Sequence, residues 1–246
     1  MGERKSSAKK IELTPFDKLF QQNAVETVQE IALAQLQPFY NHPFKVVNDE
    51  EMNKLVESIA EKGVVMPAIA RPLQGGGYEL ISGHRRKYAC EKLGLDTMPV
   101  LVRELEEDEA VIIMVDSNVQ REHILPSEKA FSYKMKLEAI KHQGERTDLT
   151  SGQVVQKLKE KYSVEVVADE AGESYKQIQR FIRLTELLPT LLEMVDKGKL
   201  KLNPAVELSY LLKEEQKGVL ECMETLQCIP SLEQAKKLKN TAKKRN

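Results

Sequence analysis

The sequence predicts an α+β fold, a small mixed α/β domain followed by an all-α helix-turn-helix domain, and three observations carry that prediction. Strand-length apolar runs at Phe44 to Val47, Ala68 to Arg71, Tyr78 to Ser82 and Val100 to Val102 all lie ahead of Leu105, separated by glycine turns and short helical stretches. Beyond Leu105, helical periodicity takes over almost throughout. Within that second half, residues 164–184 have the spacing of two helices joined by a tight glycine turn.

Residues 1–40 mix basic and amphipathic pieces, with Val25, Val28, Ile31 and Leu33 to Leu36 at partial helical spacing and no strong caps, and read as a mobile N-terminal arm. The α/β domain spans residues 41–122. Phe44 to Val47 reads as its first strand, and Asn48 caps a helix whose Met52, Leu55, Val56 and Ile59 share one face before Gly63 ends it. The strands at Ala68 and Tyr78 flank Gly75-Gly76-Gly77, and a helix from Arg85 to Leu93 stops at Gly94. Helices are expected from Asp108 to Asn118 and, behind Pro126, from Ser127 to Lys141. The helical domain, residues 123–230, continues past a polar break at Gly144 to Ser151 with helices at Gln153 to Lys161, around Gly172, at Asn203 to Leu212 and at Glu214 to Leu226. Residues 231–246 hold Lys236, Lys237, Lys239, Lys243, Lys244 and Arg245 and read as a solvated basic tail.

With 246 residues, 41% of them hydrophobic, the chain is long enough to bury two cores. Its 37 basic and 38 acidic side chains leave a net charge of -1, so contact with nucleic acid would have to come from a local patch. Cys90, Cys222 and Cys228 show neither metal spacing nor a disulfide framework, which suits a reducing cytoplasm. No apolar run approaches the length of a membrane helix.

Two segments carry chemistry. In Ser82-Gly83-His84-Arg85-Arg86 a strand stops at glycine and a helix begins with paired guanidinium groups, so free backbone N–H groups, the helix dipole and two cations converge where a phosphate would sit. In residues 167–183, Ala168 is small where two helices cross, Gly172 turns the chain, Ser174 caps the second helix, and Ile178 and Phe181 face the first. That second helix turns Tyr175, Lys176, Gln177, Gln179, Arg180 and Arg183 outward, where Gln and Arg suit base edges while Lys and Ser174 suit phosphates. Plain solvated helix faces are the competing reading of both segments.

Four segments in order resemble the ParB family of partition proteins from about Phe44 to Pro189. They are Gly63 to Arg71, Gly83 to Arg86, Ser117 to Arg121 and Pro126 to Glu128, matching the family's Gly-x-x-x-Pro segment ending in Arg, Gly-Glu-Arg-Arg, Glu-Asn-x-Gln-Arg and Pro-x-Glu, ahead of a helix-turn-helix. The resemblance implies a dimeric DNA clamp, nucleoid-associated, that loads at a palindromic double-stranded site, binds CTP with Mg²⁺, and meets a ParA-type ATPase through its N-terminal arm. By position, Gly83, His84, Arg85 and Arg86 would meet the triphosphate with Arg71 nearby. Asn118 would hold the metal, and Gln120 and Arg121 would support the pocket.

The sequence departs from the family where His84 and Ser117 replace two glutamates, one associated with hydrolysis and the other with the metal. Nucleotide binding with weak or absent hydrolysis is the expectation that follows. Two other classes stay open at this point: a nucleotide-independent helix-turn-helix regulator, and an ATP-using enzyme resembling sulfiredoxin or small-molecule kinases. Against the enzyme, the turn offers Ser82 and Gly83 where sulfiredoxin chemistry needs a cysteine.

Overall fold

The computed structural model describes residues 28–119, 121, 123–146 and 163–244. Its N-terminal part is one mixed sheet of β1 (Val28–Ala32), β2 (Leu36–Pro38), β3 (Ala68–Pro72), β4 (Tyr78–Ser82) and β5 (Thr97–Val102), in the order β1-β5-β3-β4-β2. β1 runs antiparallel to β5 and β3 antiparallel to β4, while the β3–β5 and β2–β4 pairs are parallel.

The outermost strands β1 and β2 are joined only by the 3-10 turn Leu33–Gln35. In a flat sheet four strand spacings would hold them about 19 Å apart. The four Cα steps from Ala32 to Leu36 reach about 15 Å at most, so the sheet must curl.

Residues 28–38 were expected in a mobile arm, and the structure corrects this. Val28 pairs with Leu101 and Leu36 with Tyr78, while Ile31, Leu33 and Leu36 are buried in the sheet's core. The rest of the expected arm, residues 1–27, lies outside the described residues. Phe44 to Val47 is likewise not a strand but an irregular loop, whose Phe44 ring is buried against Ile69 and Ile81.

Helix α1 (Glu50–Lys62) is capped by Asp49 rather than Asn48: the Asp49 carboxylate accepts from Met52 N at 2.8 Å, and Asn48 instead takes a bond from Lys92 Nζ at 2.6 Å. Gly63 ends α1 with φ of 70°, as its sequence position predicts. α1 packs on α2 (His84–Lys92).

Next, α3 (Glu107–Val119) lies between the sheet and α4 (Pro126–Arg146). Burial of Ala110, Val111, Ile113, Met114 and Val115 nearly all round explains its apolar sequence. α4 runs on through Gly144, where a break was expected; the helix expected at Gln153 to Lys161 lies outside the described residues.

The second core gathers α5 (residues 163–171), α6 (Tyr175–Leu184), α7 (Pro189–Asp196), α8 (Leu202–Leu208), α9 (Lys213–Leu226) and α10 (Leu232–Lys243) around one face of α4. α10 corrects the expectation of a solvated tail. Ser231 caps it, and its Ala235 and Ala242 are buried, with the helix lying against α8. Small alanines give a weak apolar signal, so the lysines dominate the sequence pattern.

Gln216, only 1% exposed, is the polar pin of this core. Its side-chain oxygen accepts from Leu188 N at 2.8 Å, and its nitrogen donates to the carbonyls of Glu186 and Leu211 at 3.1 and 3.0 Å. Gln216→Leu is expected to lower unfolding free energy by about 3 kcal/mol despite the added apolar surface, because it strands buried backbone partners. Denaturant titration of the two proteins measures this.

Candidate functional site

β4 delivers the chain to Gly83, which stands at φ of 109°, and α2 begins at the next residue. A methyl group at Gly83 would lie 2.8 Å from the Ala68 Cβ and 3.3 Å from its Cα, so both the turn and the contact with β3 demand glycine. The N-terminus of α2 opens into a cleft of about 560 Å³ walled by the loop around His42, by Met66 and by the C-terminal end of α3.

Gly83, His84, Arg85, Arg86, Asn118 and Arg121 all line this cleft, so most of the predicted phosphate-site residues converge. The Arg86 guanidinium donates to the carbonyls of Met66 and Pro67 at 2.5 and 2.6 Å, which fixes its direction, and burial pulls its pKa down. Arg85 sits 3.4 Å from Asp49 and holds that carboxyl below its ordinary range together with the Met52 N–H, the larger cause. Burial also lowers the Arg121 pKa, with Arg85 adding repulsion. The repulsion between Arg85 and Arg121 is a cost that an anion would relieve.

His84 stacks on His42 with ring centroids 3.8 Å apart, and the Nε2 atoms of both rings are buried without a hydrogen-bond partner. His42 Nδ1 lies 2.8 Å from the Phe44 carbonyl oxygen, which makes it the donor. Burial, His42, Lys87 and Arg86 together push the His84 pKa down to about 3, so its imidazole is neutral near pH 7 and adds no cation to the cleft.

The remaining predicted residues divide. The Asn118 amide nitrogen donates to Met114 O at 2.8 Å, so a cation would meet the amide oxygen. Asp116, the acid next to Ser117 in sequence, is no stand-in for the missing glutamate, because it pairs with the buried Lys136 on α4. Arg71 does not join the cleft: its guanidinium is bound by Glu79, at 2.6 Å, and by Glu107. Gln120 lies outside the described residues. Among the described residues no group of three or more His, Cys, Asp or Glu is placed to hold a metal.

The cleft also contains His42, Lys45, Asp49 and His123, which sequence reasoning misses. Their loops carry no periodicity, and only folding brings them to α2. Glu128, at the Pro-x-Glu segment, pins this loop by accepting from Lys45 N at 2.7 Å.

In the helical part, α5 and α6 form the expected helix-turn-helix. Gly172 turns at φ of 64°, Ser174 accepts from Gln177 N at 3.3 Å, and Ala168, Ile178, Phe181 and Leu184 are buried. Lys176, Gln179 and Arg180 are exposed on one face, with Tyr175 hydrogen-bonded to Gln179 at 2.9 Å. Gln177 is half-buried on a flank. Arg183 is less free than the sequence suggests: it donates to the Ser209 hydroxyl and carbonyl at 3.1 and 2.7 Å and stacks 4.2 Å above the Tyr210 ring. No helix among the described residues is long and apolar enough to cross a membrane.

Residues 18–119 match the model of the ParB N-terminal domain family. The chromosome-partitioning protein Spo0J of Thermus thermophilus is 32% identical over 198 residues, covering 80% of this chain and 65% of that protein. The chain carries a ParB N-terminal domain. Stage 0 sporulation protein J of Bacillus subtilis is 33% identical over 72% of this chain and 55% of its own length, so the chain spans between about half and two thirds of these ParB relatives. A solved Pnob8-like ParB-N domain matches with a TM-score of 0.51 at 19% identity, covering 81% of this chain and 84% of that one, which shows a shared ParB fold.

Gly83→Ala is expected to cost about 1–3 kcal/mol through backbone strain and overpacking, read by thermal or chemical unfolding. His84 gives a pH signature. Its unfolded imidazole titrates near 6.5 and the folded one near 3, so the unfolded chain takes up the proton first and stability falls as pH drops through that window. By about pH 5 the loss from this group should reach about 2 kcal/mol relative to about pH 7.5, and His84→Gln should flatten that part of the unfolding profile.

Proposed function

We propose that this chain is a nucleotide-responsive, nucleoid-associated DNA-binding protein of partition, with CTP as the ligand of its N-terminal cleft and a palindromic site as the target of its helix-turn-helix. The observation that carries this reading is the meeting of Arg85, Arg86 and Arg121 with the α2 N-terminus in a cleft large enough for a nucleotide. Arg86, held by two carbonyls, and Arg85, near only one carboxylate, would act as preset and adjustable phosphate contacts respectively. The Gly83 turn lets phosphate oxygens approach the backbone. The choice of cytidine comes from the family resemblance, and the partition role from relatives named for chromosome partitioning.

Magnesium, when bound with the nucleotide, would neutralise phosphate charge and fix its geometry. The cleft offers it the Asn118 amide oxygen, while Asp116 is committed to Lys136 and Ser117 donates its hydroxyl to Met114 O at 3.0 Å. Protein ligation is thus thin, and phosphates and water would complete the shell. A neutral, stacked His84 where the family has a glutamate supports slow or absent hydrolysis.

On α6, Lys176, Gln179 and Arg180 would face the major groove, with two helix-turn-helix units of a homodimer on the two half-sites. A ParA-type ATPase would meet the segment ahead of β1.

Crosslinking between N-terminal domains with CTP, ATP or no nucleotide, on specific and scrambled duplexes, tests the whole reading. CTP with cognate DNA should close the dimer, and indifference to nucleotide would favour the plain regulator. Arg85→Ala with Arg86→Ala should weaken CTP binding by more than tenfold, read by calorimetry, since each lost charge-assisted contact is worth about 1.5–3 kcal/mol. CTP turnover should stay slow on cognate DNA, and brisk turnover surviving a change of His84 would remove the hydrolysis argument.

A further inference from the structure

The C-terminal helix α10 carries Lys236, Lys237, Lys239, Lys243 and Lys244 against one acid, Glu233. Its buried side is set by Ala235 and Ala242. On a helix, residues three and four apart share a stripe. Lys236, Lys239 and Lys243 therefore line one flank of α10, and Lys237 with the C-cap residue Lys244 a separate stripe about 100° further round.

The contacts of Lys239 fix which way the first flank looks. Its ammonium pairs with Glu207 at 2.5 Å and lies 4.2 Å over the Tyr210 ring, and the same ring carries the Arg183 guanidinium of α6, also at 4.2 Å. The first flank is thus tied through Tyr210 to the helix whose Gln179 and Arg180 are exposed. Lys237, by contrast, lines a groove shared with α9, beside Cys222 and Leu226. Glu207 compensates Lys239, while Lys236 and Lys243, one turn to either side of it, are exposed.

We infer that the Lys236–Lys239–Lys243 flank of α10 is a phosphate rail, a sequence-independent contact to the duplex backbone beside the half-site read by α6. The inference rests on the DNA-binding reading above. It adds to that reading a second surface that fixes how the recognition helix sits without choosing bases. The near-zero net charge gives this local stripe its importance, because no global field of the chain would draw DNA.

The experiment is the salt dependence of duplex binding by the full chain, on cognate and scrambled sequence. Lys236→Gln with Lys243→Gln should reduce the slope of log affinity against log salt by about 2, and weaken both duplexes by the same factor, since each phosphate contact contributes about 0.9 to the slope. Lys236→Arg with Lys243→Arg should keep the wild-type slope. Lys237→Gln with Lys244→Gln removes equal charge from the separate stripe and should leave the slope nearly unchanged. An equal or larger fall in that control pair, or no fall in the first pair, would overturn the rail. A wild-type chain that binds neither duplex would instead overturn the DNA-binding reading beneath it.

Discussion

A buried ammonium group ties the two halves of this molecule to each other, beside the apolar packing of α3 on α4. Lys136 of α4 is 3% exposed, and its nitrogen lies between Asp116 of α3 and Glu170 of α5, the latter at 2.6 Å. A buried ammonium without a carboxylate would be prohibitive, so both partners must stay, and removing one of such a set typically costs about 3–5 kcal/mol. Burial pushes the Asp116 carboxyl above its ordinary range and outweighs the opposing pull of Lys136, which shows how far the group is from water. Through α3 the triad fixes Ser117 and Asn118 in the cleft. Through α5 it fixes the first helix of the helix-turn-helix. The two sites therefore share one electrostatic joint, although their ligands would never touch.

The cleft and the recognition helix solve the same problem by different means. At the cleft the guanidiniums are partly buried and that of Arg86 is fixed by two carbonyls, so the charge there is strong, local and directional. At α6 and α10 the cations are exposed, apart from those committed to Ser209 and Glu207, and their pull fades with salt. A nucleotide of three charged phosphates suits the first arrangement, and a long polyanion suits the second.

Features that depend on a few neighbouring residues were legible in the sequence. Gly83 before paired arginines, Gly172 before Ser174, and the apolar face of α1 each announce their geometry within one turn. β1 and β2 were not legible, because their partners Leu101 and Tyr78 are distant and their own burial is patchy. Strand preference is set by such partners more than by the strand itself. The same distance hid the His42–His84 stack, the commitment of Asp116 to Lys136, and the capture of Arg71 by Glu79 and Glu107. In each case the residue type was noticed or noticeable, and its partner was not. The glycine turn at Gly83 has the geometry its motif predicts, whereas Arg71, expected near the nucleotide, has its charge spent inside the fold.

The curled sheet also bears on how copies of the chain can meet. An open sheet presents two rows of unpaired backbone groups to which a foreign strand can add, a common route to aggregation. Here the outer strands are five and three residues long and follow one another through a single turn, so little straight edge is left exposed. Self-association by strand addition is thereby disfavoured. Copies of the chain that meet would then do so through helices and loops rather than through β-pairing.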